Sequence, residues 1–154
     1  MNARNAAVTG DVQTLSSYLE ENPESLNTYW GPDFDYTFLG YACQCGYKDV
    51  VSFLLKNENI DVSQGLFQSS TPLMIACEGG MLEIVQELLK HPDIDAYKES
   101  IEYAFRSLSS QEAQSLTRRV MIGTLLCKRG DFHPSEYLDA EKDEELISKI
   151  CEQL

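Results

Sequence analysis

Apolar side chains recur along residues 70–95 with the spacing of helices. Leu73, Ala76 and Cys77 share one face of a first short helix, and Ile84, Val85, Leu88 and Leu89 share one face of a second. The residues around them punctuate that pattern. Pro72 fits the first turn of a helix, where its missing N–H costs nothing, and Thr71 precedes it as a natural N-cap. Gly80 falls at the break between the helices, where a positive φ is often needed, and His91-Pro92-Asp93 stops the second helix. The end of the chain is patterned differently. Leu146, Ile147, Ile150, Cys151 and Leu154 form one stripe, with Asp143, Glu144, Glu145, Lys149 and Glu152 off it. That spacing predicts a capping helix over about 139–154, one side closing a core and the other wet.

The helix pair is repeated. Thr37-Phe38-Leu39-Gly40-Tyr41-Ala42-Cys43-Gln44-Cys45-Gly46 aligns with Thr71-Pro72-Leu73-Met74-Ile75-Ala76-Cys77-Glu78-Gly79-Gly80 at an offset of 34 residues, with Thr, Leu, Ala, Cys and Gly recurring. The match runs on through Val51 and Val85, Leu54-Leu55 and Leu88-Leu89, and Ile60-Asp61 and Ile94-Asp95. A weaker copy lies upstream, where Ala6, Gly10, Leu15 and Leu19 fall on Ala42, Gly46, Val51 and Leu55. A degenerate fourth lies downstream: Ile101 to Ala104 copies Leu73 to Ala76, and Leu125-Leu126 follows Leu88-Leu89 by 37 residues, with a polar insertion centred on 109–114. The repeats span about 3–27, 36–61, 70–95 and 99–132. Together with the capping helix they make residues 1–154 a single domain, as the length suggests.

Thr71-Pro72-Leu73, Ala76-Cys77-Glu78-Gly79-Gly80, Ile84-Val85, Leu88-Leu89 and Asp93-Ile94-Asp95 together resemble an ankyrin repeat. The resemblance covers about residues 3–132 and is strongest over 37–95. It implies an all-α solenoid of stacked helix pairs with β-hairpin-like fingers, and a non-catalytic protein that binds a protein partner. The positions matching the family's contact sites are Asp33, Phe34, Tyr36, Phe67, Gln68 and Ser70 on the fingers. In the groove they are the pairs before the glycine, Gln44-Cys45 and Glu78-Gly79, with Val8-Thr9 the corresponding pair of the first repeat. The sequence departs from the family at several points. The family His is Gly40 in one repeat and Met74 in the next, Phe38 replaces the family Pro, and the finger glycine is Asp35 or Ser69.

Aromatics and charge refine that expectation. Tyr29, Trp30, Phe34, Tyr36 and Phe38 crowd a ten-residue window. Phe38 is expected inward beneath its helix. Trp30 and Phe34 are the candidates for exposure, because large aromatics in reach of solvent are typical hot spots of recognition; the other reading packs the finger's aromatics against its neighbour. The chain carries 25 acidic and 12 basic side chains for a net charge of −13. That excludes a general nucleic-acid binder and favours a partner with a basic surface. Arg118, Arg119, Lys128 and Arg129 form a local basic group, read either as a solvated face pairing with the acidic segment 136–145 or as a second docking patch for an acidic partner.

No run of 18 apolar residues exists to span a membrane. Met1 to Thr9 has no apolar core of a secretion signal, and five scattered cysteines read as free thiols. A monomer in the cytoplasm is therefore expected, with the nucleus a second address. Nucleophile elbows, phosphate loops and metal-binding His or Cys motifs are absent, so no cofactor or metal and no catalysis are expected. Cys43 and Cys77 hold the same core place in adjacent repeats, leaving Cys45 as an exposed thiol. His91 and His133, each before a Pro, are expected to cap helix C-termini. An adaptor is the leading reading; the alternatives are a stoichiometric inhibitor of an enzyme such as a kinase, and a microbial effector acting on a host protein in the host cytosol.

Overall fold

The computed structural model describes residues 3–30, 36–65, 70–97, 116–130, 133–136 and 138–154. Its described secondary structure is helical. Three antiparallel pairs follow one another: α1 (Ala3–Val8) with α2 (Val12–Glu21), α3 (Phe38–Cys45) with α4 (Lys48–Leu54), and α5 (Pro72–Glu78) with α6 (Leu82–Leu89). A longer α7 (Leu116–Gly130) stacks on α6, and α8 (Glu144–Cys151) closes over α7.

Local chemistry sets each start and stop. Thr37 and Thr71 lie in extended backbone, and their Oγ1 atoms accept the N–H groups of Gly40 (3.1 Å) and Met74 (3.3 Å), satisfying helix-start donors. Asp11 does the same for α2 through Thr14 N–H at 2.7 Å, and the hydrogen bonds from the Thr14 hydroxyl and backbone hold its carboxyl below the usual carboxylate range. Each pair turns at a left-handed glycine, with φ of +63° at Gly10, +75° at Gly46 and +63° at Gly80. The residue after each turn glycine sits close to the previous repeat: Tyr47 packs beneath Gly10 and Met81 beneath Gly46.

The 34-residue period is visible as burial. Leu39 and Leu73, Ala42 and Ala76, Cys43 and Cys77, Val51 and Val85, and Leu54 and Leu88 are all almost completely withdrawn from solvent, so each repeat places the same side chains in the same layer. A buried Leu contributes roughly 1.5–3 kcal/mol through its transfer from water, so these layers carry the stack. Burial pushes the Cys43 and Cys77 thiols well above the ordinary thiol range, with a smaller push from Cys77 on Cys43 and from Glu78 on Cys77.

The C-terminal region departs from the expectation. Leu146 and Ile150 are buried against α7, but Cys151 and Leu154 are exposed, and α8 begins at Glu144. The earlier part of the expected helix is a turn, because Asp139 Oδ1 accepts the N–H groups of Glu141 (3.0 Å) and Lys142 (3.2 Å). Leu126 of α7 is fully buried. The segment 101–104 and the insertion at 109–114 lie outside the described residues.

Candidate protein-interaction surface

Of the described aromatics of the first finger, Trp30 and Phe38 are buried in the core and Tyr29 and Tyr36 are half-buried. Trp30 N–H donates to Tyr36 O at 2.9 Å, an isolated antiparallel bridge that closes the base of the finger. The expectation of an exposed Trp30 is not met: the side chain is only 9% exposed. Its ring stacks on Phe38 at 5.7 Å and meets Tyr41 edge-on at 5.0 Å. Tyr18 extends the cluster to the first repeat, 5.9 Å from Phe38, while Tyr36 and Tyr47 flank Tyr41. The physical reason is area: one indole wedged between two helix aromatics removes far more apolar surface from water than it would at a fingertip. Tyr36 and Ser70 are half-buried, and Asp33, Phe34, Asp35, Phe67, Gln68 and Ser69 lie outside the described residues.

Gly40, at the place of the family His, explains how the finger base is held without it. A Cβ there would lie 2.1 Å from Gly65 O, so only glycine admits this approach of the next loop's backbone. Thr37 N–H donates to Gly65 O at 3.0 Å and Thr37 Oγ1 donates to Gln64 O at 2.6 Å. Asp61 braces the same loop through Gln64 and Ser63, and its own N–H donates to Asn27 Oδ1 at 2.9 Å, tying the second repeat to the first. Met74, the second replacement, uses its thioether: Thr71 N–H donates to Sδ at 3.3 Å.

The groove candidates are placed differently. Gln44, Cys45, Glu78 and Gly79 are exposed at the ends of α3 and α5, and Val8 and Thr9 are exposed at the end of α1. Because α3 and α5 bury nearly all their other residues, this row is where those two helices meet solvent. It combines an amide, a thiol, a hydroxyl, a carboxylate and one exposed valine.

The four basic residues of α7 are placed in two ways. Arg118 and Lys128 are exposed, and Arg119 and Arg129 are half-buried against neighbouring elements. Arg119 Nη2 lies 3.9 Å from Asp143 Oδ1, joining α7 to the start of α8, and Arg129 Nη2 donates to His91 O at 3.1 Å, joining α7 to the turn after α6. Both guanidinium groups act as struts across the last interfaces. Sequence reasoning missed a hollow of about 430 Å³ between α6 and α7, lined by Leu82, Gln86, Val120, Met121, Thr124 and Leu125. Met121, 46% exposed, was its only signal, a large apolar residue on an otherwise basic helix face.

The histidines cap, but at the other end from the one expected. His91 Nδ1 accepts Asp93 N–H at 3.4 Å and His133 Nδ1 accepts Ser135 N–H at 3.3 Å, each at the N-terminus of the 3-10 turn begun by the following Pro. Proline fixes φ for that new turn, which makes the preceding residue its N-cap. Among the described residues no group of three or more His, Cys, Asp and Glu side chains is arranged to hold a metal ion, and no helix is long and apolar enough to cross a membrane.

A family model of ankyrin repeats, three copies, matches residues 4–100. No curated protein matches the sequence.

Proposed function

Because the chain belongs to the ankyrin-repeat family, we propose that it is a non-catalytic adaptor that holds a basic protein surface against the row Val8-Thr9, Gln44-Cys45 and Glu78. Ankyrin repeats generally mediate protein–protein interaction and are typically non-catalytic. The observation that carries the reading is the exposure of Gln44-Cys45 and Glu78 on two helices, α3 and α5, whose remaining residues are almost all buried. Positions that recur at the same place in each repeat, 36 and then 34 residues apart, offer a partner several corresponding footholds. The net charge of −13 supplies the sign of the partner, and the cytoplasm is the compartment in which unbridged cysteines fit.

The test is capture of partners from lysate on the immobilised chain, comparing wild type with a Gln44→Arg, Glu78→Arg double variant. Arg118→Glu, which changes charge on α7, is the control. A partner bound at the row is lost from the double variant by about tenfold or more, equivalent to about 1.4 kcal/mol, and kept by the control. Its capture also weakens as salt rises, since screening acts on charge-steered association. Equal capture by wild type and double variant sinks the reading.

A further inference from the structure

Five thiols compete for any covalent chemistry, and burial removes three. Cys43, Cys77 and Cys127 are shielded from solvent. The Cys127 thiol is pushed up to about 12, by desolvation first and then by Cys151 and Glu136. Cys45 and Cys151 are exposed, and they differ in what stands beside the sulfur. Cys151 Sγ, at the end of α8, lies 3.3 Å from His133 Nε2.

The imidazole is fixed by its own turn. His133 Nδ1 accepts Ser135 N–H at 3.3 Å and contacts Ser135 Oγ at 2.7 Å, while Glu136 Oε1 accepts His133 N–H at 3.1 Å. This is a reciprocal capping arrangement with histidine as the cap. A backbone N–H only donates, so Nδ1 is the bare nitrogen and the proton of the neutral ring sits on Nε2. The atom facing Sγ is therefore a donor and not a base.

We propose that Cys151 and His133 form a nucleophilic thiol site for small electrophiles, peroxides in particular, with His133 Nε2–H hydrogen-bonded to the sulfur as it attacks. The nucleophile is the thiolate, and an N–H aimed at sulfur stabilises the charge it carries in reaction. With hydrogen peroxide, the thiol proton first leaves to water, and sulfur then attacks one peroxide oxygen. The S–O bond forms as O–O breaks, and hydroxide departs and is protonated to water. Sulfur is oxidised by two electrons to a sulfenic acid, and the peroxide is reduced by the same two. Among the described residues no such donor stands against the sulfur of Cys45, which serves as the reference within the same molecule.

The experiment is time-resolved alkylation of the folded full chain with iodoacetamide, read at each cysteine by peptide mass spectrometry. Here the S–C bond forms as C–I breaks and iodide leaves. Cys151 is expected to react roughly three- to tenfold faster than Cys45, as befits a thiol with a donor at sulfur. His133→Asn keeps a side-chain oxygen to cap the Ser135 N–H but withdraws the donor from sulfur; it is expected to bring Cys151 down to the rate of Cys45. Cys43 and Cys77, buried, stay unlabelled while the chain is folded. Peroxide followed by a sulfenic-acid trap is expected to mark Cys151 before Cys45. A wild-type Cys151 no faster than Cys45 overturns the proposal even if the variant fails to fold, and so does a Cys151 rate unchanged in folded His133→Asn.

Discussion

At Trp30 the side chain meets two rings of the helix that follows it, Phe38 at 5.7 Å and Tyr41 at 5.0 Å, and it ends the loop that leads out of the first repeat. Its indole N–H finds no hydrogen-bond partner among the described residues, so the residue is held by packing. Trp30→Ala is therefore expected to lower stability by about 3–5 kcal/mol, the cost of emptying a large aromatic site, measured by urea unfolding. A loss under about 1 kcal/mol would show that the ring is not core. The sequence concealed this, because an aromatic in a loop carries no periodicity to show which way it points. A signal was nonetheless present. Phe38 and Tyr41 are three residues apart, on one face of a helix, and the indole packs against both rings.

At the scale of the element, the close approach between α3 and the loop after α4 decides the geometry of the second repeat. Gly40 and Gly65 meet backbone to backbone, and a Cβ on Gly65 would itself lie 2.7 Å from Ser70 O. Gly40→Ala has no flexible neighbour to displace and is expected to cost at least about 2 kcal/mol, within the range of overpacked interiors. Gly79→Ala meets the flexible Met81 side chain, Cε at 3.0 Å and Cγ at 3.3 Å, with Ile75 O at an ordinary 3.4 Å, and stays within about 1 kcal/mol of wild type. Equal effects in thermal unfolding of the two variants would contradict the account. The loss of the family His at Gly40 and Met74 was legible, whereas the replacements were not: one is an absent side chain that admits a carbonyl, the other a sulfur that accepts an N–H. The histidines teach the same lesson. The His-Pro pairs marked boundaries correctly, but which helix each ring caps depends on where Nδ1 points.

Over the whole molecule, the stack was readable because a strict period returns the same apolar residue to the same layer, as Leu39 and Leu73 or Val51 and Val85 demonstrate. Where the period broke, at α7 and α8, less was legible: Arg119 does pair with the acidic segment 136–145, through Asp143, as one reading had it, whereas both guanidinium groups are half-buried struts between elements, and the contact of Arg129 with His91 O had no signal in the sequence. The remaining solvent face of the first helices carries the functional claim, and native thiols allow it to be located without adding new side chains. A benzophenone maleimide is attached to Cys45 in a Cys151→Ser background, and to Cys151 in a Cys45→Ser background, and each chain is irradiated in lysate. The account predicts that the partner retained by wild type and lost from the Gln44→Arg, Glu78→Arg variant is crosslinked through Cys45, at the row, and not through Cys151, at the other end of the stack. Crosslinking of that partner through Cys151 and not through Cys45 would contradict it.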